Sequence, residues 1–133
     1  MKIGIVGSRR RDEQDDFLAV AKALQSLLEL KLQPNEEVIL VSGGCPKGGD
    51  RFAEDLAKQL GYEMVIHPAD WKRYGRGAGF VRNTDIATGS DYLIACVAPD
   101  RKGGTEDTVR KFCKKLGLTE EEAIVTGWLV LVS

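Results

Sequence analysis

The stretch VILVSGGCPKGGDRFAEDLAKQLG, residues 38 to 61, carries the reading of the fold. Val38 to Val41 is a short, β-branched apolar run of strand length, the pattern of a strand buried on both faces. Ser42-Gly43-Gly44 stops it. After Asp50 the residues Phe52, Ala53, Leu56, Ala57 and Leu60 recur at helical spacing, and Gly61 is a fitting end for that helix. A buried strand handed through a glycine turn to an amphipathic helix is the repeating step of a parallel α/β sheet.

The same step recurs on either side. Residues 2 to 6 read as a first buried strand ended by Gly7-Ser8, followed from Asp15 to about Leu30 by a helix with Phe17, Leu18, Ala21, Leu24, Leu27 and Leu28 on its apolar stripe. Met64 to Ile66 reads as a third strand. HPADWKRYGRGAGFVRN, residues 67 to 83, is the least regular segment, with a helix starting inside it and running toward Ala87. Tyr92 to Val97 is the most hydrophobic strand, expected at the centre of the sheet. Asp100 to Gly104 forms a loop, Thr105 starts a helix through Val109, Phe112 and Leu116 to Gly117, and Trp128 to Val132 is a last strand. The expected fold is α/β, a Rossmann-like three-layer sandwich with a mostly parallel central sheet and helices on both faces, residues 1 to 133 forming a single domain. The acidic run Glu120 to Glu122 reads as surface.

Bulk properties narrow the function classes. At 133 residues, 43% hydrophobic and 29% charged, the chain has globular proportions, and no stretch approaches the roughly 18 uninterrupted apolar residues of a membrane span. Arg9 to Arg11 follow the first apolar run directly, the reverse of a secretory signal, so Met1 is read as the mature start. A net charge of -1 gives no whole-surface attraction for nucleic acid, while local basic clusters such as Arg9 to Arg11 keep charge from deciding the matter, and nucleic acid is not the expected partner. Cys45, Cys96 and Cys113 have neither disulfide-framework nor zinc-ligand spacing, which suits a reducing compartment. The expectation is a cytoplasmic protein with no metal and no bound cofactor, and self-association is left open.

In open parallel sheets ligands sit outside the carboxyl ends of the strands, where helix N-termini converge. Three glycine-bearing segments fall there: Gly7-Ser8-Arg9, Ser42-Gly43-Gly44 through Gly48-Gly49-Asp50, and Gly103-Gly104-Thr105. Glycine lets backbone approach an anion, and Ser and Thr hydroxyls add donors. With Arg82-Asn83 in the irregular segment, the set points to an anionic, phosphate-bearing ligand. No turn matches GxxxxGK[ST] or GxGxxG, so neither a P-loop nor a standard dinucleotide site is indicated.

GSRR at 7 to 10, VSGGCPKGGD at 41 to 50, ADWKRYGRGAGFVRN at 69 to 83 and KGGTEDTV at 102 to 109 together resemble the SLOG superfamily in its YspA-like branch, across roughly residues 2 to 112. That superfamily includes the LOG phosphoribohydrolases and the DNA-processing protein DprA. The resemblance implies a Rossmann-like domain holding a nucleotide-like small molecule, with Gly7, Ser8, Gly43, Gly44, Gly103, Gly104 and Thr105 around its phosphate. Intact glycine turns without clear catalytic carboxylates make a sensor or carrier role the leading expectation. LOG enzymes use an arginine and a glutamate for N-glycosidic hydrolysis, and Arg82 matches the arginine block while Glu106 and Asp107 are the nearest acidic candidates. This chain lacks the extra residue of PGGxGT and carries Lys102 in place of its proline, so the resemblance supports binding more than hydrolysis. Kinship with DprA raises single-stranded DNA binding as a further alternative.

Several residues keep two readings. Glu106 and Asp107 either act on a ribose or favour a helix N-terminus through its dipole. Asp50 caps its helix or faces a ribose. Asp70 and Trp71 accept a ribose hydroxyl and stack a base, or Trp71 plugs its loop onto the core. Ser42 and Gly48 belong to the second glycine segment, and Arg9 is the arginine of its cluster expected nearest the site. Arg73 reads as solvated, and His67, the one histidine, reads as a strand-end residue.

Overall fold

The computed structural model describes residues 1–133. Strands β1 (Lys2–Gly7), β2 (Ile39–Ser42), β3 (Glu63–Ile66), β4 (Tyr92–Cys96) and β5 (Leu129–Val132) form one sheet in the order β3-β2-β1-β4-β5. Every neighbouring pair is parallel, with Gly7 opposite Cys96 at the carboxyl edge.

Side chains alternate across the pleat and sort the core into two layers. Ile3, Ile5, Leu40, Ile94 and Cys96 pack under helices α1 (Gln14–Lys31) and α2 (Gly49–Leu60), against Val20, Leu24, Phe52 and Ala53. Val6, Val41, Leu93 and Ala95 face the other way, onto Ile86, Val109, Phe112 and Ala123 of helices α4 (Ala78–Thr88), α5 (Gly104–Leu116) and α6 (Glu120–Val125). This is the expected three-layer α/β sandwich.

The middle strand is β1, not β4. An apolar run reports that a strand is covered on both faces, which holds for any inner strand and does not rank it. β1 takes the centre despite two glycines, and a Cβ at Gly4 would stand 2.9 Å from the Leu93 side chain. The chain winds outward from β1 through β2 to β3, then returns to its other side as β4 and β5. The reversal places a topological switch point between β1 and β4.

The helix ends follow local chemistry. Gly61 and Gly117 close α2 and α5 in left-handed conformation, at φ 72° and 69°. The irregular segment resolves into a one-turn helix α3 (Trp71–Tyr74), a 3-10 turn at Gly75–Gly77 and then α4. The acidic run Glu120 to Glu122 is the first turn of α6. Thr119 Oγ1 accepts from the Glu122 N–H at 3.1 Å and the Glu122 carboxylate accepts from the Thr119 N–H at 3.0 Å, so the pair forms a capping box.

Asp50 is not the cap of α2. Gly48 holds the capping position, and Asp50 stands inside the first turn, where its Oδ2 accepts from the Cys45 N–H at 3.0 Å. The preceding loop runs too close to β1 for a side chain at that position. A Cβ on Gly48 would stand 2.6 Å from the Ser8 carbonyl oxygen. No helix is long and apolar enough to cross a membrane.

Candidate functional site

At the switch point, the loops after β1, β2 and β4 and one face of α4 enclose a cleft of about 470 Å³, within the usual range of small-molecule sites. Gly7, Ser8, Arg9, Asp50, Arg82, Asn83, Gly103, Gly104 and Thr105 all line it. Of the expected residues, Gly43, Gly44 and Trp71 line an adjoining hollow of about 550 Å³, which shares Arg9, Arg10, Cys45 and Arg82 with the first. Ser42, Gly48, Asp70, Glu106 and Asp107 line neither.

The α5 side of the cleft is open. Gly103 sits at the α5 cap position with φ 124°, and a Cβ there would meet nothing within 4 Å. The Glu106 N–H bonds the Gly103 carbonyl at 3.3 Å, whereas the Gly104 and Thr105 N–H groups have no partner inside the helix and carry the positive end of its dipole. Thr105 and, one turn on, Thr108 add hydroxyls to the same wall.

Arg82 is the cation that ties the walls together. Its Nη1 donates to the Gly43 carbonyl at 2.8 Å and its Nε to Asn83 Oδ1 at 3.1 Å. Both acceptors are neutral, so no carboxylate offsets its charge. Asn83, 7% exposed, passes the linkage on, its Nδ2 donating to the Gly104 carbonyl at 3.3 Å and to Asp107 Oδ2 at 3.2 Å. One chain of hydrogen bonds thus joins the β2–α2 turn to the start of α5.

The two acidic candidates after Thr105 are both committed to cations. Glu106 accepts from Arg101 Nε at 2.9 Å and Nη2 at 2.7 Å, and the same guanidinium bonds Glu120 at 2.7 Å. These bonds raise the Arg101 pKa above its already high ordinary value. Asp107 is buried, and desolvation pushes its carboxyl upward. Hydrogen bonds from Lys111 and Asn83, with smaller help from Arg110, outweigh that and hold it below the ordinary aspartate range.

The β2–α2 side is filled from within. The Asp12 carboxylate accepts from the Gly48 N–H at 2.7 Å and from Arg51 Nε at 2.9 Å, and these contacts lower its pKa. Asp70 caps α3, accepting from the Arg73 N–H at 3.1 Å. Trp71 is 58% exposed, with the edge of its ring 3.9 Å from where a Cβ on Gly79 would be, so it does not plug the loop onto the core. His67 extends the β2–β3 ladder, its N–H donating to the Ser42 carbonyl at 2.8 Å, in keeping with its strand-end reading. Ser42 Oγ is buried without a partner.

Three lining cations and hydroxyls escaped sequence reasoning. Arg10 lines both hollows, fixed by bonds of 3.0 and 2.7 Å to Asp100 and of 3.0 Å to the Lys102 carbonyl. That pairing spans 90 positions, and no spacing rule shows it. Lys102 lies in the same wall, where the LOG pattern has proline. Thr108 was findable, because it follows Thr105 by one helical turn and therefore shares its face.

No curated protein and no solved structure matches the chain. The model of the YspA, cpYpsA-related SLOG family matches residues 1–74, which takes in β1, the β2–α2 turn and α3. Those 74 of 133 residues are more than half the chain and contain the first two glycine turns, so the chain belongs to the YspA, cpYpsA-related SLOG family.

Proposed function

We propose that the cleft binds a nucleotide or nucleotide-derived small molecule and that the domain serves as a sensor or carrier of it. One observation carries this reading: the open N-terminus of α5, the Gly7-Ser8 turn and Arg82, a cation without a carboxylate partner, all line one cleft. A phosphate placed there meets backbone N–H donors, hydroxyls and a fixed guanidinium together. The exposed face of Trp71 in the adjoining hollow suits a planar base, and Arg9, Arg10 and Arg82, common to both hollows, suit the phosphate between them.

Binding is favoured over hydrolysis. The acidic candidates for a LOG-like reaction, Glu106 and Asp107, are paired with cations, and neither lines the cleft. The test is a thermal-shift series with AMP, ADP, NAD, ADP-ribose, cyclic dinucleotides and oligonucleotides. At one hundred times Kd a true ligand stabilises the fold by about 2.7 kcal/mol. Stabilisation by at least one, without release of free base on long incubation, is the expected result, and no shift with any of them removes the proposal.

A further inference from the structure

One lining residue does not fit a cleft built for anions. Asp50 is the only carboxylate in either hollow, among Arg9, Arg10, Arg82, Lys102 and Lys47. It is 8% exposed, and no cation stands within salt-bridge distance of it. Its Oδ2 accepts from the Cys45 N–H at 3.0 Å, which fixes the plane of the group. Its other oxygen takes no hydrogen bond from the protein.

An ionised carboxylate only accepts hydrogen bonds, and burying one without partners is costly. It repels a phosphate at close range and attracts a donor. On a nucleotide the neutral donors next to the phosphate are the sugar hydroxyls. We propose that Asp50 selects the ligand's sugar, its unpartnered oxygen accepting from one hydroxyl of a ribose. This rests on the nucleotide reading above and adds what that reading leaves open, which group of the ligand's sugar the protein reads. One free oxygen reads one hydroxyl, so the 2′ and 3′ positions contribute unequally.

The experiment uses AMP, 2′-deoxy-AMP and 3′-deoxy-AMP as probes, with affinities measured by calorimetry on the wild type and on Asp50→Asn. Asparagine keeps an oxygen for the Cys45 N–H and turns an amide donor toward the cleft. In the wild type one deoxy analogue binds roughly 10- to 100-fold more weakly than AMP, the range of a hydrogen bond to a charged group. In Asp50→Asn that ratio collapses toward one, while inorganic phosphate binds more tightly because the repelling charge is gone. A role confined to holding the Cys45 loop would weaken all three nucleotides alike and leave the ratio intact. That result overturns the assignment, as do equal wild-type affinities for the three probes, an arm that needs no variant to fold. Affinity that rises with Mg²⁺ equally for all three and only in the wild type overturns it in favour of a metal. If AMP and both analogues fail to bind the wild type, this assignment falls, while the nucleotide reading stands or falls with the wider thermal-shift series.

Discussion

The β2–α2 turn, with the pairs Gly43-Gly44 and Gly48-Gly49, and the β4–α5 turn, with Gly103-Gly104, look alike as glycine-paired sequence between a strand and a helix, yet the protein uses them in opposite ways. In the first, the glycines make room for the protein itself. A Cβ on Gly49 would fall on the Val6–Gly7 peptide, one on Gly43 would meet the Arg82 guanidinium, and the Gly48 N–H already serves Asp12. In the second, a Cβ on Gly103 meets nothing and one on Gly104 comes no nearer than 4.0 Å to Asn83. A glycine turn is thus a phosphate site only where its donors and its space are not already taken. By that criterion the proposed phosphate belongs at α5 and not at α2.

The sharpest way to break the contrast is to add one methyl group to each turn. Gly49→Ala forces a side chain into the β1 backbone, and overpacking of that kind costs about 3 kcal/mol, a large part of the stability of such a domain. Urea denaturation should show a correspondingly lower midpoint. A midpoint equal to the wild type's would mean that the turn is not packed against β1 as described.

Next in size is Asp107, the buried carboxylate that joins α5 to Asn83. Asp107→Asn removes the negative charge from its pairs with Lys111 and Arg110, at 2.9 and 3.1 Å, and should cost about 2 kcal/mol at neutral pH. The sign with pH is fixed by the lowered pKa. The stabilisation is fully present above the unfolded-state value and is lost as pH falls through the lower, folded-state value. The gap between wild type and variant should therefore close as pH drops below about 4. A gap that stays constant from pH 7 to pH 3 would show that the charge is not what matters there.

The same contrast separates what was legible in the sequence from what was not. The strands and the two-sided core follow from local periodicity, and Gly61 and Gly117 act as helix stops through their own left-handed backbone. Partnership is not local. Gly49 and Gly104 read identically until β1 is laid against one of them and open space against the other. Glu106 and Asp107 suggested chemistry because they follow Thr105, yet Arg101 sits five residues before Glu106 and claims it. Of the two readings of Asp50 the capping one fails, because the approach of Ser8 that makes Gly48 the cap comes from a loop some 40 positions away. The capping box of Thr119 and Glu122, by contrast, was visible and passed over as surface charge.

On the open turn the added methyl should act on binding, not on folding. Gly104→Ala places a better helix former at the start of α5 and leaves stability within about 1 kcal/mol of wild type. Nucleotide affinity should fall about tenfold, as the Cβ occupies space that the phosphate needs. Unchanged affinity would move the phosphate away from α5.

The smallest effect tests whether the open turn is held at all. Arg101 links it to Glu106 at 2.7 Å and to Glu120 at 2.7 Å, but its side chain is 38% exposed and water screens both pairs. Arg101→Ala should cost less than about 1 kcal/mol, and the loss should vanish in 1 M salt, where the screening length is about 3 Å. Arg101 also adopts φ 55°, a conformation that alanine accepts no more readily, so backbone strain contributes little to the difference. A loss as large as that of Gly49→Ala, and insensitive to salt, would mean that the β4–α5 turn is as firmly built into the fold as its counterpart. The contrast that assigns the phosphate to α5 would then no longer hold.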